Sequence, residues 1–243
     1  SRCVVEGGRD RGQTLSGAYI FKKERKEAEA QMNHAPAAAS YLKTNFEIGD
    51  LADEAWDLAD PIRVTAYWSG EIAPNGRHFE ARLLWSDTHL YVKFAAEQRE
   101  ELIVNLTPDV SQKADELWER DVCEIFLAPD RTMPMRYFEF EVAPTGEWLD
   151  LAIEIVDEGR QTDWEFTSQM ETAAEIEDSK VTMAFKVPFT AFGTAPKRGD
   201  VWLGNIFRCV GSGATRGYLA WRPTHTEIPS FHVPAAFGEI EFR

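Results

Sequence analysis

Residues 117–155 decide how the chain folds: Leu117-Trp118-Glu119-Arg120-Asp121-Val122-Cys123-Glu124-Ile125-Phe126-Leu127, a Pro-rich loop, Tyr137-Phe138-Glu139-Phe140-Glu141-Val142, a turn at Pro144-Thr145-Gly146, and the run from Glu147 to Ile155. This pattern predicts three strands in series. Phe138, Phe140 and Val142 alternate with Tyr137, Glu139 and Glu141, the period of a half-buried strand with one polar face. In the next run Leu149, Leu151, Ile153 and Ile155 alternate with Trp148, Asp150, Ala152 and Glu154. The hairpin is therefore expected to turn one polar, aromatic-bearing face towards solvent or a ligand.

The same alternation extends outward. Phe79, Ala81, Leu83 and Trp85, then Leu90, Val92, Phe94 and Ala96, flank a turn at Ser86-Asp87-Thr88-His89 and read as a hairpin. Further short strands are expected at Ile62 to Trp68, Leu102 to Leu106, Phe166 to Ala174, Val181 to Val187, Val201 to Val210, Tyr218 to Trp221 and Phe237 to Phe242. Leu51 to Ala59 reads as a helical turn, and Gln98 to Glu116 as a long polar loop leading to Trp118. About ten short strands with almost no helical periodicity predict an all-β fold, an antiparallel β-sandwich or jelly roll.

Composition narrows the function classes. With 243 residues, 44% of them hydrophobic and 12% aromatic, the chain can build a substantial core. A formal charge of −15 repels phosphate backbones and anionic membrane surfaces, so nucleic acid is excluded as a partner and neutral or cationic ligands fit better. No apolar run approaches the roughly 18 residues of a membrane span, and no signal-peptide pattern is present. Three scattered cysteines, Cys3, Cys123 and Cys209, form no metal knuckle and cannot all pair internally. Unpaired thiols without a signal point towards the cytoplasm.

Residues 1–40 read as a separate N-terminal extension and linker, poorly ordered, ahead of a sandwich over 41–243. The first 31 residues hold seven Lys or Arg and five Asp or Glu, so the remaining 212 carry −17. Lys22 to Ala30 is a charged, helix-favouring run without a core face. Met32 is expected to be a natural start, followed by a small-residue linker, Asn33-His34-Ala35-Pro36-Ala37-Ala38-Ala39-Ser40.

Several blocks, in order, resemble carbohydrate-binding module family 9: Trp85 to Val92, Leu117 to Phe126, Tyr137 to Val142, Trp221-Arg222-Pro223-Thr224, Phe231-His232-Val233-Pro234 and Phe237-Gly238-Glu239-Ile240. The resemblance runs from about Phe46 to Phe242. It implies an antiparallel sandwich related to the DOMON group of sugar- and haem-binding folds, with a sugar held between two aromatic side chains above polar groups of the sheet. It also implies structural calcium elsewhere, and work outside the cell beside a carbohydrate-active enzyme or other protein partner. By position Trp118 matches one aromatic of the clamp. Phe231 stands where the family has a second tryptophan, and Glu141 where it has an arginine.

A pyranose has C–H faces that aromatic rings cover and a rim of hydroxyls that polar side chains satisfy. The expected ligand is a mono- or oligosaccharide, with Trp118 and Phe231 clamping a terminal sugar while Glu139, Glu141, Arg208 and His232 address its hydroxyls. Each residue also has a structural reading. Trp118 can anchor its loop, Phe231 can pack the Pro-bounded loop onto the sandwich, His232 can be a hydrogen-bonded structural residue, and Arg208 can pair with Glu139 or Glu141 across the sheet.

Glu139 and Glu141, about 7 Å apart along one strand face, can reach glycosidase spacings. Hydrolases, however, draw their pair from separate strands, so no catalytic residue is assigned. Asp109, Asp115, Asp121, Glu124, Asp130, Glu147 and Asp150 offer oxygen ligands for calcium, without a recognisable ligand spacing. Two other readings stand beside sugar binding. One is haem, for which His78, His89, His225, His232, Met133 and Met135 are the nominal axial ligands. The other is a sandwich that binds only protein.

Overall fold

Most strands form where the chain alternates, and the computed structural model describes residues 35–243 of it. In chain order they are β1 Ala37–Tyr41, β2 Ile62–Val64, β3 Phe79–Trp85, β4 His89–Glu97, β5 Val122–Ala128, β6 Arg136–Val142, β7 Trp148–Val156, β8 Gly159–Asp163, β9 Glu171–Glu177, β10 Lys180–Pro188, β11 Val201–Val210, β12 Gly217–Ala220 and β13 Gly238–Phe242. The thirteen strands lie in one sheet, ordered β8-β7-β6-β5-β11-β13-β1-β3-β4-β10-β9, with β12 on β11 and β2 on β3. Pro36–Arg243 form one compact unit.

The sheet folds over on itself, which makes the expected sandwich. Ile125 and Leu127 of β5, Phe140 and Val142 of β6 and Ile206 of β11 share one buried cluster with Leu83, Val92, Phe94 and Phe185 of β3, β4 and β10. Phe140 meets Phe185 at 5.7 Å between ring centroids. Such apolar faces, fully removed from water on both layers, supply the main driving force of the fold.

The sheet is mixed rather than antiparallel, because β1 runs parallel to both its neighbours, β13 and β3. Residues 37–40 thus belong to a strand and not to a linker. Alanine has little intrinsic preference for a strand, so local sequence hides β1. Its small, buried side chains fit where the two layers meet, and ladder bonds on both edges decide its conformation. Residues 1–34, with the charged run from Lys22 and the start expected at Met32, lie outside the described residues.

The strand expected at Phe166 to Ala174 begins five residues later, at Glu171, and Leu102 to Leu106 is irregular. The strand expected through Trp68 ends at Val64 and continues only as isolated bridges from Ala66 to Ile72 and from Tyr67 to Leu219. The polar edge strand β8 has no apolar alternation to announce it.

Candidate functional site

The outer face of β5, β6, β7 and β11 carries the site, and strand register sets its composition. Tyr137, Glu139 and Glu141 pair with Ile153, Leu151 and Leu149, so the polar side of β6 lies beside the apolar side of β7. The expected common polar face is therefore not formed. Asp150 falls on the opposite side beside Phe140, where Lys113 Nζ meets it at 2.7 Å. On β5, Glu124 pairs with Glu141 and Phe126 with Glu139.

Two loops cover this face. The polar loop ends in a 3-10 turn, Leu117–Glu119, after Glu116 in the left-handed region at φ 51°. Arg216 fixes the turn by donating to the main-chain oxygens of Trp118, Arg120 (2.8 Å) and Gly211 (2.8 Å). Trp118 is half-buried, with Trp164 at 6.2 Å. From the second loop, Phe231 stacks on Phe207 at 4.0 Å and 12°, and Tyr218 stands edge-on to it at 6.0 Å. One face of Phe231 is thereby covered. His232 lies on Phe126 at 5.1 Å, and its Nδ1 shares a 2.9 Å hydrogen bond with Tyr137 OH.

Between these parts lies a pocket of about 270 Å³, lined by Trp118, Trp164, Tyr218, Phe231 and His232 above and by Glu124, Phe126, Glu139 and Cys209 below. A larger groove of about 1300 Å³ runs past Asp130, Arg136 and Trp202. Its Arg136 and Arg131 are paired with Glu154 and Glu239, and it holds no buried polar group comparable to the carboxylates of the smaller pocket.

Four expected residues, Trp118, Phe231, His232 and Glu139, line one pocket. Glu141 is fully buried and is not part of the lining. Arg208 does not line this pocket, nor does it pair with Glu139 or Glu141. It alternates with Phe207 and Cys209 on β11, so its side chain leaves by the other face, where it donates to the oxygens of Arg77 and Glu97 at 2.7 Å each and to Gln98 Oε1. Trp164, Tyr218, Glu124 and the cationic Arg160 also line it. Glu124 was visible only as one of a scatter of acids, and nothing in the local sequence marks the other three.

Glu124, Glu139 and Glu141 bring carboxylate oxygens within 4.8 Å of one another. Burial is the first cause that pushes the pKa of all three upward, and mutual repulsion adds to it for Glu124 and Glu141. Burial, reinforced by the Arg160 charge, pulls His232 down to about 3, so its ring is neutral. Apart from Glu124, the acids expected to offer calcium ligands are engaged separately. Asp109 and Asp130 cap their own turns, Asp121 accepts from Gly211 N and Ile103 N, and Glu147 accepts from Asn105 and Thr145. Cys123 and Cys209 sit on adjacent strands but belong to clusters on opposite faces, and both are free.

A family model described as carbohydrate family 9 binding domain-like matches residues 48–243. The chain belongs to that family. Over 176 residues, 66% of this chain and 77% of the relative, this family 9-like domain is 27% identical to a protein of Arthroderma benhamiae named "Extracellular protein". Its fold is similar to that of a Bacteroides uniformis protein, with a TM-score of 0.66 at 19% identity over 86% of this chain and all of that one. It is also similar to a carbohydrate-binding module family 9 domain of Caldicellulosiruptor kristjanssonii solved with glucose, with a TM-score of 0.60 at 14% identity over 86% and 96% of the two chains. No helix among the described residues is long and apolar enough to cross a membrane.

Proposed function

We propose that this family 9-like domain is a noncatalytic carbohydrate-binding module that takes a terminal sugar in the pocket under Trp118. The observation that carries this reading is the meeting of half-exposed aromatics with buried acceptors. Trp118, Trp164 and Tyr218 offer ring surface to the C–H faces of a pyranose, while Glu124 and Glu139 accept from its hydroxyls. Neutral His232 can either donate or accept through its second ring nitrogen. Phe231 works from the side, since Phe207 covers one of its faces. The pocket falls just below the roughly 300–1,000 Å³ of drug-sized sites, which suits one sugar ring with the chain leading outwards.

Hydrolysis is disfavoured by placement. A glycosidase sets its two carboxyls on either side of the bond, whereas Glu124 and Glu139 come from adjacent paired strands and lie with Glu141 on one face, their oxygens within 4.8 Å of one another. Haem is disfavoured by the histidines, which are engaged singly at separate places: His78 with Ala73 O, His225 with Ser69 O, His232 with Tyr137. The name of the Arthroderma benhamiae relative favours work outside the cell.

The test is a tryptophan-fluorescence titration with glucose, cellobiose and cellotriose, free and borohydride-reduced; glucose and cellotriose occupy the Caldicellulosiruptor kristjanssonii structures. Wild type should give a saturable change. Trp118→Ala should weaken binding by at least about tenfold, or ~1.4 kcal/mol, with the melting temperature nearly unchanged. Silence of wild type across the panel, or a large loss of stability in the variant, would overturn the assignment.

A further inference from the structure

Glu141 is fully buried, and neither of its carboxylate oxygens accepts a hydrogen bond; the same is true of Glu139 Oε2. Among the described residues no Lys, Arg or His forms an ion pair with Glu124, Glu139 or Glu141. Arg160 and Arg216 act on Glu139 and Glu124 only from beyond contact, and no cation meets Glu141. Three ionised carboxylates taken out of water with so little counter-charge are costly, which favours the uptake of protons or a cation. A proton on Glu141 would let it donate to Glu139 and would leave Glu124 only the weak Cys209 S–H donor and the Arg216 charge.

Geometry favours a single ion. Three oxygens no more than 4.8 Å apart surround a point at most about 2.8 Å from each, close to the ~2.3–2.6 Å bonds of calcium. The set is entirely carboxylate, which selects hard divalent ions over soft ones. Cys209 approaches Glu124 Oε1 through its S–H at 3.5 Å and so serves as a donor, not as a ligand. An ammonium carried by a sugar would meet Glu124 and Glu139, which line the pocket, whereas the fully buried Glu141 is not part of the lining and would be reached only by a smaller group.

We propose that Glu124, Glu139 and Glu141 are the protein ligands of a divalent, oxygen-preferring cation of calcium's size, seated in the floor of the pocket. Its fourth side faces the cavity, where water or a ligand hydroxyl completes the shell. Only this last contact rests on the sugar reading; the ion site stands on the carboxylates alone.

The probe is the metal without sugar. Chelator-stripped protein at pH 7.5 is melted with and without millimolar Ca²⁺, Mn²⁺ or Mg²⁺, and Ca²⁺ binding is measured by calorimetry. Ca²⁺ should raise the melting temperature of wild type by several degrees with about one ion bound. Glu141→Gln should reverse the order: in chelator it melts above wild type, because a repulsive charge is gone, and in Ca²⁺ below it. Glu124→Gln serves as the second variant and should lower Ca²⁺ affinity at least tenfold. An equal Ca²⁺ response in wild type and both variants overturns the site. So does a wild type that ignores all three metals and is stabilised only by lowering the pH to 5, which would mean protons hold the cluster. Stabilisation of stripped wild type by glucosamine, but by no metal, would assign the acids to an ammonium instead. Since no sugar is present in the metal arms, failure of sugar binding leaves their outcome readable.

Discussion

Arg216 grips the main chain on both sides of the Trp118 turn, donating to the oxygens of Trp118, Arg120 and Gly211 from one guanidinium whose face also lies 5.5 Å from the Tyr218 ring. One side chain therefore positions two of the pocket's aromatics. Arg216→Gln should raise the dissociation constant for sugar about fivefold to tenfold and cost ~1–3 kcal/mol of stability through the carbonyls left unpaired. Calorimetric titration beside a denaturant melt checks both numbers. Unchanged affinity would show that the turn holds its shape without the grip.

Lys113 plays the corresponding part for Trp164. Its ammonium meets Asp150 Oδ1 at 2.7 Å and donates to the main-chain oxygens of Phe166 (2.6 Å) and Trp164 (3.3 Å). Lys113→Met leaves Asp150 buried without its counter-charge, a loss on the order of 3 kcal/mol. The same variant should bind oligosaccharides more weakly. Trp164→Ala, at a residue 45% exposed, should reproduce the binding defect without the loss of stability.

His232 makes the fold sensitive to acid. Its folded pKa of about 3 lies below the ordinary 6.5, so the unfolded chain binds a proton that the folded one refuses. Stability is full above pH 6.5 and declines as the pH falls towards 3, by at most ~1.4 kcal/mol per pH unit. The buried carboxyls of Glu124, Glu139 and Glu141 act in the opposite sense, since their raised values favour the folded state at low pH. The effect is isolated as the difference between wild type and His232→Asn in urea melts from pH 7 to 4. A pH-independent difference would remove His232 from this role.

Arg208 is an internal strut between the layers. Arg208→Met strands the oxygens of Arg77 and Glu97 and the amide of Gln98, which should cost ~3 kcal/mol or more. Sugar affinity of the protein that remains folded should match wild type. Weaker binding at equal folded fraction would return Arg208 to the site.

The strands of the sandwich were legible wherever apolar residues alternate, as in β3, β4, β6 and β10, because a half-buried strand imposes a period of two. β1 was not, since Ala37, Ala38 and Ala39 carry no alternation and owe their conformation to partners distant in sequence. Within the site, Trp118, Phe231, His232 and Glu139 could be named from a loop, a Pro-bounded segment and a strand. Trp164 and Tyr218 could not, because they reach the pocket from a polar edge segment and from the short strand β12.

The sequence alone determined which side chains share a face of each strand: alternation placed Glu139 with Glu141 and Phe138 with Phe140, and no tertiary contact can alter that. Only the tertiary structure decided which faces adjoin. The register of β6 against β7 set the glutamates beside Leu149 and Leu151, and the register of β5 brought Glu124 next to Glu141. Folding the sheet beneath two loops then shut out the water that would have solvated three carboxylates. Register and burial arise from pairings far apart in the chain, so the same acidic residues read as a solvated face in sequence and become a desolvated cluster in the folded protein.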